Sequence, residues 1–209
     1  MKVAILLLAA GLARRMGTPK QLLPLGKSTI MGLTLDNIVS AGIGAITVVL
    51  GAGAGETGPI ARSHGARTVL NPDYRSGMAS SLVKGLENIG LAPDLLMVAL
   101  ADQPLTRPET YRQLVEAAGN CGKGITVPVY GGKRGNPIIF KQGYLPKLAG
   151  LTGDMGGRQL LRRCPDDIQE VQVDDPGVVM NINTPGDYTR LKNIFQKGDT
   201  SFAEEGQDG

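Results

Sequence analysis

The sequence predicts a three-layer α/β domain with a mostly parallel central sheet, and three observations carry that expectation. Short apolar runs without polar alternation recur along the chain, as in "VAILLL" from Val3 and "LLMVAL" from Leu95. A strand covered on both faces of a parallel sheet needs such a run. Segments with helical apolar spacing lie between these runs, which is the alternation of a layered α/β fold. The length of 209 residues suits one well-buried domain and not two.

Strands are expected at Val3 to Leu8, Ala45 to Leu50, Arg67 to Leu70, Leu95 to Ala101, Gly124 to Val127 and Ile168 to Val173. The opening run has a rival reading as a secretory signal, with Lys2 as its charged start and small residues up to Ala13. Gly11 inside the run, and the patterned basic loop after it, argue instead for a buried first strand feeding an anion-holding loop. A helix is expected over Ser28 to Ala41, with Ile30, Leu33, Leu35, Ile38 and Val39 apolar. A second is expected over Met78 to Ile89, with Met78, Leu82, Val83, Leu86 and Ile89 largely on one face. Both stripes read as core. "YGGKRGNPIIF" reads as a two-glycine turn between short strands, a small β insertion beside the sheet. Thr184-Pro185-Gly186-Asp187 reads as a helix start. The polar end after Gln196 limits the domain to residues 1–196 and leaves 197–209 as an expected disordered tail.

Composition excludes several function classes. A net charge of +3, scattered along the chain, is no nucleic-acid surface. Arg14, Arg15, Lys20 and Lys27 nevertheless form a local basic group suited to a small anionic ligand. The two cysteines, Cys121 and Cys164, have neither disulfide-framework nor metal spacing, so a reducing cytoplasm is the expected compartment. No apolar run is long enough to cross a bilayer. His64, the single histidine, lies in "RSHG" and reads as a solvated turn residue, which disfavours triads and histidine-ligated metals.

Three glycine signals compete for a nucleotide. "GAGAGE" from Gly51 resembles a dinucleotide fingerprint, but Glu56 takes the place of the third glycine and the segment follows the second strand. It reads as a plain strand-to-helix loop. "LGKST" from Leu25 ends like a Walker loop, but Gln21 stands where the earlier glycine belongs. The opening loop is more specific. Gly11 lets backbone amides approach a ligand, Arg15 and Lys20 offer a planar fork and a mobile point charge to phosphate oxygens, and Pro19 and Pro24 restrict the loop around Lys20. A solvated basic turn is the alternative. Asp102 follows "LLMVAL" at the carboxyl edge of the sheet, where open α/β folds bind ligands; it reads equally as a turn residue or as a hard oxygen ligand for Mg²⁺.

"LAAGLARRMGTPKQLLPLG" resembles the signature of the MobA-like nucleotidyltransferases, and within them the molybdenum cofactor cytidylyltransferase branch most closely. The likeness runs from about Lys2 to about Phe195 through "NPDYRSGMASSLVKGL", "ALADQPLT", "RGNPIIF", "GDMGGRQLL" and "NINTPGDY". It implies a Rossmann-like nucleotidyltransferase fold, a Mg²⁺ cofactor, and transfer of a nucleoside monophosphate from CTP or another NTP to a phosphorylated acceptor. In the cytidylyl branch the acceptor is the terminal phosphate of molybdopterin, and the product serves molybdoenzymes of the xanthine dehydrogenase type.

Residue by residue, the resemblance implies that Arg15, Lys20 and Asp102 form the catalytic set, with Asp102 on the metal and Asn183 or Asn181 beside it. Leu8, Ala9, Ala10 and Gly11 would pass under the base, with Arg15 and Lys20 on the phosphates and Gly77, Ser80 and Ser81 meeting base and ribose. Ser80 and Ser81 read equally as helix caps. Asn136, Pro137, Asp154, Gly156 and Arg158 would face the acceptor. The chain departs from the family at Ala13, where serine is usual, at Asn136, often histidine, and at Gly157, usually alanine. Asn181 and Asn183 look more like the guanylyl branch, whereas Ala9-Ala10-Gly11, in place of Ala-Gly-Gly, looks cytidylyl. Two rivals stand beside this reading: another phosphorylated acceptor on the same fold, and a non-catalytic cofactor carrier.

Overall fold

Ten strands and seven α-helices are found among the residues that the computed structural model describes, which are 1–11, 19–90 and 92–197. In chain order they are β1 (Val3–Ala9), β2 (Pro24–Leu25), β3 (Ser28–Thr29), α1 (Ile30–Ala41), β4 (Ala45–Leu50), α2 (Ala54–Ser63), β5 (Arg67–Leu70), α3 (Met78–Leu86) and β6 (Leu95–Leu100). These are followed by α4 (Pro108–Asn120), β7 (Ile125–Tyr130), β8 (Lys133–Arg134), β9 (Ile138–Lys141), α5 (Leu145–Ala149), α6 (Arg158–Arg163), β10 (Ile168–Gln172) and α7 (Pro185–Lys197). Arg14, Arg15, Ala13 and residues 198–209 of the expected tail lie outside the described residues, and the one tail position inside them, Lys197, closes α7.

The main sheet runs β10-β7-β9-β6-β1-β4-β5, with β8 paired to β7. The pairs β1–β4, β1–β6, β4–β5 and β7–β10 are parallel. The period-2 alternation of strands explains the three layers. Ile5, Leu7 and Ala9 of β1, with Leu95, Met97 and Ala99 of β6, pack on one face against Met31 and Leu35 of α1 and Tyr111 and Leu114 of α4. Leu6, Leu8, Leu96 and Val98 pack on the other against Leu82 of α3, Leu148 of α5 and Leu160 of α6. Both faces are covered, so the strand sequences are continuously apolar. Among the described residues no helix is long and apolar enough to cross a membrane.

Several expectations need correction. The "YGGKRGNPIIF" turn is present, but its second arm does not lie beside the sheet: β9 is inserted within it, antiparallel to both β6 and β7. Ile138, Ile139 and Phe140 are buried there, which an edge position does not require. Ser28–Thr29 pairs with Pro24–Leu25 as a small hairpin, and α1 begins only at Ile30, where the Thr29 side chain caps Gly32 N–H at 3.0 Å. Val39, expected in the core, is 47% exposed. The second helix stops at Leu86, short of Ile89. His64 is no solvated turn residue: it ends α2, with Nδ1 2.7 Å from the Ile60 carbonyl and Nε2 3.0 Å from Asp36 Oδ1 on α1.

A third apolar cluster fixes the chain's last helix. Ile182 and Leu191 pack with Leu25 and Ile30, and the Tyr188 hydroxyl donates to the Pro24 carbonyl at 2.6 Å. The expected helix start is present as a reciprocal cap. Asn183 and Thr184 N–H donate to Asp187 Oδ2 at 2.9 and 2.8 Å, and Asp187 N–H donates to Thr184 Oγ1 at 3.1 Å. Asp187 titrates below its ordinary range: burial pushes it up, but these donors and the nearby Lys20 charge outweigh burial. This cap delivers "NINT" to Lys20, which stands just ahead of the β2–β3 hairpin.

Candidate active site

The parallel register brings three strand ends together. Leu8 of β1 faces Leu100 of β6, and Ala9 faces Leu50 of β4. Ala10-Gly11, Gly51 and Asp102 therefore emerge side by side at the carboxyl edge. A cavity of about 350 Å³ opens there, of a size that holds a small ligand. Of the expected nucleotide residues, Leu8, Ala10, Gly11, Lys20, Gly77 and Ser81 line it, and so do Asp102 and Asp154. Ala9 is buried in the sheet core. Arg15 falls outside the described residues.

Lys20 stands in the 3-10 turn Lys20–Leu22 that follows Pro19. Its neighbour Gln21 ties that turn to β1 through a 3.2 Å hydrogen bond from Nε2 to the Ala9 carbonyl. The Lys20 ammonium is thereby held over Asp102, with which it forms an ion pair. It also donates to the Ile182 carbonyl at 2.9 Å and to Asn183 Oδ1 at 3.2 Å. Three oxygens from two distant segments thus converge on one cation. A carboxylate, an amide and a backbone carbonyl are the hard donors that suit Mg²⁺ or Mn²⁺, so the residues present fit a divalent cation. Among the described residues no cluster of three histidine, cysteine or acidic side chains offers an alternative metal site.

Asn181 is not brought to that ammonium. It lines a separate hollow with Leu105, Met180, Asp187 and Arg190, and its Oδ1 is buried without a hydrogen-bond partner. The expected acceptor residues divide likewise. Asp154 is on the cavity rim, and Gly77, at φ +106°, lets it come close: a Cβ there would stand 2.5 Å from Asp154 Oδ1. Gly156 is buried, and Arg158 is exposed at the start of α6. Asn136, in a cis peptide bond with Pro137, is buried beneath the Pro176–Val179 turn and donates its N–H to the Val178 carbonyl at 2.9 Å. Its side-chain Nδ2 is buried and unpartnered.

Four lining positions escaped the sequence reading: Gln21, Tyr74, Met78 and Leu100. Arg75 is a fifth, stacked over the Tyr74 ring at 5.6 Å and giving the rim a second cation. Gly51 is also explained by the cavity. A Cβ there would be 2.7 Å from the Ala10 carbonyl oxygen and 2.8 Å from the Cβ atoms of Ala10 and Tyr74. The "GAGAGE" glycine accordingly serves the close approach of two loops, and Gly53 at φ +75° is the N-cap of α2. The segment is the strand-to-helix loop that its missing third glycine implied.

The model of the MobA-like NTP transferase domain matches residues 5–170. The chain belongs to that family. Among solved structures the chain is similar to Rv0371c of Mycobacterium tuberculosis H37Rv, with a TM-score of 0.82 at 31% identity over 92% of this chain and 98% of that one. The same protein has been solved in complex with manganese, with a TM-score of 0.80 at 30% identity and the same coverage. The nicotine blue oxidoreductase of Paenarthrobacter nicotinovorans is 30% identical over 88% of this chain and 94% of its own length. The molybdenum cofactor cytidylyltransferase of Escherichia coli K12 is 23% identical over 90% and 94%. Fold and family are therefore those that the six sequence blocks resembled. The relatives' names diverge in what they act on.

Proposed function

We propose that this MobA-like protein transfers CMP from CTP to the terminal phosphate of molybdopterin and releases pyrophosphate. The observation that carries the reading is the convergence of Lys20, Asp102 and Asn183 beside the Ala10-Gly11 loop. A mobile cation, Lys20, and a hard-oxygen ligand, Asp102, thereby share the lining of one cavity with Leu8, Ala10 and Leu100. In the reaction, an oxygen of the acceptor phosphate bonds to the α-phosphorus of CTP. The bond from that phosphorus to the bridging oxygen breaks, and the electron pair leaves with pyrophosphate. No protein nucleophile is needed, so the residues act by placing charge.

Asp102 and Asn183 would hold Mg²⁺, which when bound supplies a hard cation that offsets phosphate charge. Lys20 would then turn from Asp102 to the triphosphate oxygens, with Arg15 from the opening loop as its partner. Asp154 and Arg158 would meet the acceptor from the α6 side, and Asn136 and Pro137 would support it from below. The E. coli relative's name supports molybdopterin as acceptor, and a molybdoenzyme of the xanthine dehydrogenase type would receive the product. The manganese complex of the mycobacterial relative supports a divalent cation.

The test is pyrophosphate release from each of the four triphosphates with Mg²⁺ and molybdopterin. Release with CTP far above the others is expected. Release that needs GTP moves the protein to guanylyl transfer, and release that needs a different phosphorylated acceptor moves it to another branch. The Paenarthrobacter relative's name favours a second reading, as an oxidoreductase. Consumption of NADH or NADPH with nicotine blue, without pyrophosphate release from any triphosphate, would establish that reading instead.

A further inference from the structure

We infer that Asn71 is a specificity-determining positioning residue, which fixes the Ser81 hydroxyl as a donor into the cavity and so selects a base with a ring-nitrogen acceptor, as in cytosine. This deepens the nucleotide reading above and rests on it.

Asn71 follows β5 directly, and its N–H extends the β4–β5 ladder by donating to the Leu50 carbonyl at 2.8 Å. It is 1% exposed, so every polar atom of its amide needs a partner. Its Oδ1 accepts from Asp73 N–H at 3.0 Å, and its Nδ2 donates to Ser80 Oγ and to Ser81 Oγ, each at 3.0 Å. The opposite orientation of the amide would set an NH₂ against the Asp73 N–H. The network therefore determines which end is nitrogen.

The two serines use this donation differently. Ser80 passes its own proton to the Gly77 carbonyl at 2.8 Å or to that of Asp73 at 3.0 Å. Its hydroxyl is satisfied within the α3 start and does not line the cavity. Ser81 is buried, lines the cavity with Leu8, Ala10 and Leu100, and finds no acceptor for its proton among the described residues. With one lone pair taken by Asn71, it offers inward a proton and its second lone pair, and only an acceptor in the cavity satisfies the proton.

A donor fixed in a low-dielectric wall discriminates by what it meets. Cytosine presents N3 as an acceptor on its pairing edge. Uracil presents N3–H and guanine presents N1–H at the corresponding place. Against either N–H the Ser81 proton would be left buried and unpaired. Ala10 limits bulk, whereas the Asn71–Ser81 pair reads polarity.

The test is calorimetric titration of the full chain with CTP, UTP and 3-deaza-CTP in Mg²⁺ without acceptor. Wild type should bind CTP about tenfold more tightly than either analogue. Ser81→Ala should bring all three within about twofold, and Ser81→Thr should restore the preference. Asn71→Asp puts an acceptor where Nδ2 stood, so the Ser81 proton turns to the carboxylate and its oxygen faces the cavity. CTP should weaken and UTP tighten. Equal wild-type affinity for CTP and 3-deaza-CTP overturns the inference whether or not the variants fold, as does an unchanged CTP/UTP ratio in folded Ser81→Ala or a uniform loss in Asn71→Asp. Wild type that binds no triphosphate overturns the nucleotide reading and this inference with it.

Discussion

Lys20 and Asp102 stand 82 residues apart in the chain and form one ion pair at the carboxyl edge of the sheet, with side chains only 17% and 12% exposed. The pair sits between the loop after β1 and the turn after β6, and the same ammonium reaches Ile182 and Asn183 ahead of α7. A cation already occupies the oxygen set that fits a metal. Its tether is flexible, so the charge can move while the oxygens remain where the strand and the helix cap place them.

Asp102→Asn keeps the shape of that set and removes its only carboxylate. The protein should fold, with a loss of roughly 1–3 kcal/mol because the Lys20 ammonium keeps amide and carbonyl partners but loses its counter-charge. Turnover should fall about a hundredfold or more, as when a preorganised charge is withdrawn from a transition state. Pyrophosphate release near the wild-type rate at saturating Mg²⁺ would show that Asp102 does not hold the metal.

Lys20→Met tests the same site from the other side. The variant should bind CTP at least tenfold more weakly, since a charge-assisted contact to phosphate is lost. It should also bind Mn²⁺ more tightly than wild type when no nucleotide is present, because the ammonium no longer competes for Asp102 and Asn183. Electron paramagnetic resonance of free Mn²⁺ measures this without turnover. Unchanged Mn²⁺ affinity together with unchanged CTP affinity would return Lys20 to a purely structural ion pair.

β1 and β6 were legible in the sequence because burial on both faces leaves no polar residue in them, and β4 and the edge strand β5 because their β-branched residues are bounded by glycine or asparagine; all four match their expected runs to within a residue. The place of β9 was not, because a short apolar run looks the same at an edge and at the centre, and pairing partners are not local. Helix α2 carries Pro59 inside it together with two glycines, which blurs an apolar stripe. Asp102 was legible as a strand-end carboxylate, yet its meeting with Lys20 depends on three segments that only the fold joins. Asn71 was hidden for a different reason. Before a proline it looks like a turn residue, and only its burial and its two serine partners reveal more.

Gly51→Ala tests whether the "GAGAGE" glycine supports the base loop. The added methyl would meet the Ala10 carbonyl oxygen at 2.7 Å, and a backbone atom cannot turn aside as a side chain can. Stability should fall by roughly 1–3 kcal/mol, and CTP affinity should fall with it as Ala10-Gly11 shifts. An unchanged melting temperature and an unchanged CTP affinity would refute the packing role.

Acid stability should depend on Asp167, away from the cavity. The Tyr144 hydroxyl and, at 2.8 Å, the Gly124 N–H donate to its carboxylate and hold it below the ordinary range. A depressed folded value means that the stabilisation is complete above the unfolded value of about 3.9 and is lost as pH falls through the lower folded one. Tyr144→Phe should therefore lower the urea midpoint at pH 6, and the gap from wild type should narrow below about pH 4. A gap that stays constant down to pH 2 would rule out this linkage.

Ala10→Gly tests bulk at the base. Ala10 lines the cavity and is 4% exposed, and its methyl abuts the Gly51 backbone, so it both narrows the space and stiffens the loop. The wild-type protein should prefer CTP to GTP, and the variant should raise the kcat/KM for GTP relative to CTP. Exclusion by a methyl group is bounded at about 10–200-fold, and here the change should sit near the lower limit because the Ala10 methyl is shared with Gly51. The Mg²⁺ requirement should be unaffected, since Asp102 and Asn183 stand on other segments. CTP and GTP used equally by the wild type with molybdopterin as acceptor would remove Ala10 as a size filter. The guanylyl reading to which Asn181 and Asn183 point would then be the better one.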